Sequence, residues 1–159
     1  MRRTLVYFIL ILLLAWAASM LPAANGAEGQ RLSVDDLVIE AASGQHKFRV
    51  ELAETEAQRS IGLMHRRRMA ADAGMLFDFQ VTQPVSFWMK DTFIPLDMIF
   101  IADDGRVAGI AKRTVPHSTA SVPSPVPVRA VLEVNAGISD RLGLRAGDLV
   151  RHRIFRNMR

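Results

Sequence analysis

The hydrophobic and polar positions of this chain form a series of short runs divided by turn residues, behind one long apolar run at the start. Phe48, Val50 and Leu52 alternate with Arg49 and Glu51, the period of a half-buried strand. Leu37, Val38 and Ile39 read as the strand before it. Thr55 can cap a helix through Arg59, Glu56 suits its positive end, and Gly62 is placed to stop it. Residues 74–79 and 85–90 read as further strands. In the second, Val85, Phe87 and Met89 share one face and Ser86, Trp88 and Lys90 the other. Pro95 leads into a strand over residues 96–102. Asp103-Asp104-Gly105 then turns the chain back through residues 106–111. Residues 114–127 hold four prolines among serines and read as a surface loop with little regular structure. Residues 128–135 form a strand, 138–142 a short helix ended by Gly143, and 149–155 a last strand. Many short strands with turn signals predict a mainly β fold, one compact β-barrel or sandwich domain over residues 37–156 with one or two short helices.

The opening run belongs to a different class. Arg2 and Arg3 precede residues 5–16, which are apolar and uncharged, and Ala23, Ala24, Gly26 and Ala27 follow. This is the layout of a secretory signal peptide over residues 1–27, with an uncleaved N-terminal membrane anchor as the alternative and residues 28–36 as a linker. The expected location is therefore periplasmic or otherwise extracytoplasmic, with membrane contact only through that segment. Beyond the two N-terminal arginines the charge falls from +4 to +2, with 18 basic residues against 16 acidic. A balance so near neutral gives no argument for nucleic acid as a partner. The chain has no cysteine, which excludes disulfides, thiolate catalysis and Cys-based metal sites.

Candidate chemistry concentrates between Phe87 and Ile101, where Lys90, Asp91 and Asp97 interrupt a densely apolar stretch. An unpaired buried charge costs several kcal/mol, so such groups pair or serve a site. Lys90 and Asp97 are expected to meet across a hairpin, either as a structural ion pair or as cation and acceptor of a ligand site. Glu133 sits in an apolar strand, with Arg129 and Val131 on its face. Arg59, on the first helix, is within reach of a carboxylate such as Asp97 or Glu133. Trp88 shares a face with Lys90, and an aromatic beside charges is how sugar and cation sites are built. The basic run His65-Arg66-Arg67-Arg68 reads as a solvated turn or as an attraction for anionic envelope components. The methionines 64, 69, 75, 89 and 98 suit core filling better than copper ligation, and the four histidines lack zinc-like spacing. No cofactor or metal is implied, and no nucleophile elbow, P-loop or dinucleotide fingerprint occurs.

Five blocks, Gln58-Arg59-Ser60-Ile61-Gly62-Leu63-Met64, Gly74-Met75-Leu76-Phe77, Phe87-Trp88-Met89-Lys90-Asp91-Thr92, Ile94-Pro95-Leu96-Asp97-Met98-Ile99-Phe100 and Leu144-Arg145-Ala146-Gly147-Asp148-Leu149-Val150, stand in this order. Together they resemble the domain of unknown function 192 family, small bacterial and archaeal proteins. The resemblance runs from about Phe48 to Arg151. It implies a compact, mainly β fold and frequent export, and it supplies no activity. Where that family often has Asn, this chain has Asp91.

These readings favour a non-catalytic envelope module that binds a small polar ligand or a surface polymer, with Arg59, Trp88, Lys90, Asp97 and Glu133 as candidate binding residues and no catalytic residue assigned. A carbohydrate-active hydrolase using Asp97 and Glu133 is one alternative, and a structural or stability factor for envelope proteins is another. Convergence of the five side chains on a deep pocket would favour either binding or hydrolysis over a purely structural role. Two carboxyl groups facing each other across a cleft would favour hydrolysis. A fully paired buried set would favour structure alone.

Overall fold

The computed structural model describes residues 32–158, so the signal or anchor expected over residues 1–27 lies outside it. The described residues form a mainly β domain. Strands β1 (Ser33–Ala41) and β2 (Gly44–Ala53) make a hairpin. Helix α1 (Glu56–Ile61) then carries the chain across to β3 (Ala73–Gln83), which runs parallel to β2. The short β4 (Ser86–Phe87) precedes β5 (Leu96–Ile101) and β6 (Val107–Thr114), and β7 (Val122–Pro123) precedes β8 (Val128–Asn135). Helix α2 (Ile138–Arg141) and β9 (Leu149–Arg151) complete the order. Seven strands make one sheet, in the order β6-β5-β8-β3-β2-β1-β9. The sheet curls until its two edges touch. Arg106 bridges Leu149, and the Val107 and Val150 amides donate to Asp148 and Gly105 carbonyls, each at 2.8 Å.

The curl creates two cores rather than one. Leu37, Ile39, Val50, Leu76, Ile99, Leu132 and Val150 fill the inside of the curled sheet. Met75, Phe77, Met98, Phe100 and Val131 point outward from β3, β5 and β8, where Leu63, Met89 and Ile94 cover them. The central strands are thus buried on both faces, which is why β5 is apolar almost throughout. Gly74 lets β3 and β8 approach within this double core. A Cβ there would lie 2.7 Å from the carbonyl oxygen of Glu133.

Several expectations need correction. β1 begins at Ser33, inside the stretch expected as a linker. Residues 85–90 were expected to form one strand, but only Ser86 and Phe87 do. They pair with Val122 and Pro123, so the proline-rich segment contains a strand and folds over the outer core. It is held there by the Met89 amide donating to Ser118 O and the Ser124 amide donating to Val85 O, both at 2.9 Å. After β9 the chain turns into a 3-10 helix (Arg153–Phe155) instead of extending the strand.

The expected pairing of Lys90 with Asp97 is overturned. Asp97 is fully buried, and its carboxylate accepts three backbone N–H groups: Arg113 at 2.8 Å, Gly137 at 3.0 Å and Ser139 at 2.9 Å. Arg113 has φ 51°, an irregular position in β6, and Gly137 and Ser139 open α2. One carboxylate therefore joins β5 to β6 and to the start of a helix, satisfying donors that would otherwise be orphaned. Lys90 is exposed, beyond the end of any strand.

Replacing Asp97 by Ala strands these three amides without an acceptor. At about 1–3 kcal/mol for each unsatisfied buried group, the Asp97→Ala variant should lose about 3 kcal/mol or more in urea denaturation. A loss below about 1 kcal/mol would show that water or rearrangement replaces the carboxylate.

Candidate functional site

The segment after β2 builds one wall of a cleft on the outer side of the sheet. Thr55 caps α1 by accepting the Gln58 amide, and Gln58 Oε1 accepts the Thr55 amide in return. Arg59 leans from this helix onto β3. Its Nη1 donates to the carbonyl oxygens of Glu54 at 2.6 Å and Asp78 at 2.8 Å, and its guanidinium lies 5.3 Å from the centre of the Phe79 ring. Gly62 ends the helix at φ 50°, and a Cβ there would come within 3.0 Å of Phe77 Cζ. Glycine therefore meets both the backbone geometry and the tight seat against the ring.

The opposite wall is aromatic. Phe87 meets Phe77 and Phe79 edge to face, with ring centroids 5.1 and 6.2 Å apart. Trp88 follows, 49% exposed at the mouth, with Lys90 Nζ 5.4 Å from its ring centre. The space between the walls measures about 310 Å³, and Arg59, Trp88 and Glu133 all line it.

Glu133 is the unusual group. It is only 4% exposed, and its strand neighbours in register are Met75 on β3 and Met98 on β5, both fully buried. Among the described residues its carboxyl has no hydrogen-bond or ion-pair partner. Burial with nothing to stabilise the charge pushes its pKa up to about 8. The same transverse row of the sheet offers a contrast. Glu51 on β2 stands opposite Met75, but its carboxylate takes a two-pronged ion pair from Arg66 at 2.5 and 2.6 Å. The fold neutralises one acid of the row with arginine and leaves the other with a proton, facing a cleft.

Of the five residues singled out by sequence, Arg59, Trp88 and Glu133 converge on this cleft. Lys90 touches it through Trp88. Asp97 does not reach it, because it pairs in register with Val134 while Met98 pairs with Glu133, so Asp97 and Glu133 point to opposite faces of the sheet. The two-carboxylate hydrolase expected from Asp97 and Glu133 is corrected on this geometry, since the groups cannot flank one bond. The basic run is partly engaged internally: Arg66 holds Glu51, Arg67 lies 5.2 Å from the Phe93 ring centre, and the His65 ring meets Phe93 edge on. The methionines separate, with Met64 lining the cleft, Met75 and Met98 flanking Glu133, and Met89 taking the Thr114 hydroxyl. Asp91 adopts φ 53°, a left-handed turn that Asn and Asp both tolerate, so the departure from Asn keeps the backbone role. Sequence reading missed Phe79 and Phe87 as cleft walls, because their placement depends on the β4–β7 pairing.

The geometry defines a class: a small curled β domain with a protonatable carboxyl in an aromatic cleft. Comparison with known proteins agrees with the fold and leaves the activity open. The model of the DUF192 family, described as an uncharacterized ACR, matches residues 38–152, and the chain belongs to this family. A crystal structure of a protein from Sinorhizobium meliloti, described as a candidate transcription regulator, is 48% identical, with a TM-score of 0.76 over 77% of this chain and 96% of that one. A crystal structure of a protein of unknown function from Novosphingobium aromaticivorans is 39% identical, with a TM-score of 0.75 over 86% of this chain and 96% of that one. No curated protein matches.

The raised pKa of Glu133 has a signed consequence for stability. The folded state holds a proton that the unfolded chain releases near the ordinary carboxyl value, so this group's contribution is full below about pH 4.5 and is lost as pH rises to about 8. At about 1.4 kcal/mol per pH unit the loss amounts to several kcal/mol. Glu133→Gln should therefore match the wild type near pH 4.5 and melt at a clearly higher temperature at pH 8.5. The pairwise comparison cancels His152, whose burial lowers its pKa and acts in the opposite direction. Parallel melting curves from pH 4.5 to 8.5 would show that Glu133 is ionised throughout.

Proposed function

We propose that this chain is an exported envelope module whose cleft binds a small polar ligand, with Glu133 as the hydrogen-bonding group at its base. One observation carries the reading: a nearly buried carboxyl without a partner among the described residues lines a cleft of about 310 Å³. Leaving such a group unsatisfied costs free energy that a ligand hydroxyl, amide or amine can recover. Arg59 and Trp88 support it as a fixed cation and a half-exposed ring on the cleft walls. The signal-like residues 1–27 support export, which places the ligand among molecules of the cell envelope, either a small solute or a segment of a surface polymer.

The alternative of a structural factor draws support from Asp97, whose buried carboxylate is wholly engaged by backbone amides. The same argument does not extend to Glu133, which ties nothing together. The regulator description of the Sinorhizobium protein is not extended to this chain, whose two α-helices among the described residues have six and four residues.

A thermal-shift screen of the full chain against sugars, envelope fragments and metals tests the proposal. A concentration-dependent rise in melting temperature is expected from at least one compound, with the rise absent in Glu133→Ala. No stabilising compound, or one that stabilises Glu133→Ala equally, would refute a binding role for this cleft.

A further inference from the structure

The cleft does not stop at Trp88. On the other side of that residue a second hollow of about 170 Å³ is lined by Ser86, Phe87, Trp88, Thr119 and Ser121. The two spaces share Ser86, Phe87 and Trp88, so they adjoin at this segment, one lined by Glu133 and the other by the hydroxyls of Thr119 and Ser121. Resting on the reading of the cleft as a ligand site, we propose that the ligand is an uncharged carbohydrate of at least two rings, one seated against Glu133 and the next beyond Trp88.

Charge complementarity selects this class. A cationic ligand would find the half-buried Phe79 ring and the exposed Trp88 ring already attended by protein cations, Arg59 and Lys90. It would also find Glu133 protonated at neutral pH and so without a counter-charge to offer. An anionic ligand would face Glu56 in the lining, while Arg59 Nη1 is already committed to two carbonyls. A neutral carboxyl both donates and accepts, which matches the hydroxyl or acetamido groups of a sugar. The far hollow continues that chemistry with Ser86, Ser121 and Thr119, the two serine hydroxyls lying 2.7 Å apart. A flat, half-exposed indole between the two is a surface on which the apolar face of a pyranose packs. The combined space is at the small end of ligand clefts, roughly 300–1,000 Å³, and suits a disaccharide rather than a long chain.

The test uses one ring in three charge states. Isothermal titration of the full chain at pH 6.5 with N-acetylglucosamine, glucosamine and N-acetylmuramic acid separates neutral, cationic and anionic forms. The β-1,4-linked dimer and trimer of N-acetylglucosamine, with maltose beside them, then count the subsites. The expected result is binding of a neutral sugar, a gain of at least tenfold from monomer to dimer, and little further gain with the trimer. Trp88→Ala should remove the gain, so that monomer and dimer bind with similar affinity. Glu133→Gln, which keeps a neutral donor and acceptor, should hold one affinity from pH 6.5 to pH 9, a range over which the wild type weakens. Binding of glucosamine or N-acetylmuramic acid alone, abolished by Glu133→Ala, would overturn the choice of an uncharged sugar while leaving the cleft as a ligand site. Binding of none of these sugars would overturn the proposal, and the broader screen of the cleft would still decide whether it binds anything else. A dimer gain that survives Trp88→Ala would overturn the two-seat arrangement.

Discussion

The central strands of this domain have no solvent side, and most of its special features are answers to that constraint. In a curled sheet whose outer face is left wet, β3, β5 and β8 would alternate apolar and polar residues. Here a second core covers that face, so a polar group on either side must find a partner or change its charge. The four acids of these strands and of β2 beside them meet the constraint in three ways. Asp97 takes backbone amides, Glu51 and Asp78 each take an arginine, and Glu133 takes a proton. The two solutions that use protein partners strengthen the fold, whereas the third leaves hydrogen-bonding capacity in a cleft.

The same covering explains why the site is assembled from distant parts of the chain. The wall carrying Arg59 belongs to the crossover between the parallel strands β2 and β3, and the wall carrying Trp88 belongs to the β4–β7 ribbon. Arg59 and Trp88 both lie outside the main sheet, and both segments rest on the aromatic rings of β3. Gly62 allows that contact at the helix end against Phe77, and Gly74 lets β3 and β8 close against each other at Glu133.

Periodicity was enough to identify β2, β8, the Asp103–Gly105 turn and the capped helix, because each is determined by neighbours within a few residues. It also flagged Glu133 and Asp97 as costly charges. It could not assign their partners. Whether a strand residue points inward or outward in a sheet buried on both sides depends on register, and apolar sequence on both faces erases the alternation that would reveal it. The Lys90–Asp97 pairing failed for that reason: it assumed a hairpin between residues 85–90 and 96–102, whereas β5 lies between β6 and β8. Proline content concealed β7, since a two-residue ribbon needs little hydrogen bonding and tolerates Pro123 at its edge.

The seam of the curl, finally, sets an order of events. β9, the last strand of the domain, lies beside β1, the first, and reaches across to the beginning of β6. Asn157 adds to the closure by donating to the carbonyls of Asp104 and Val150. A chain synthesised from its N-terminus therefore carries β1 with one edge unsatisfied until almost the whole domain has emerged. Closure is a terminal step that links residues more than a hundred positions apart, and loop-closure entropy makes such a step slow. Before it, the nascent domain is an open sheet with a free edge; after it, the two edges of the sheet are joined at Arg106 and Leu149.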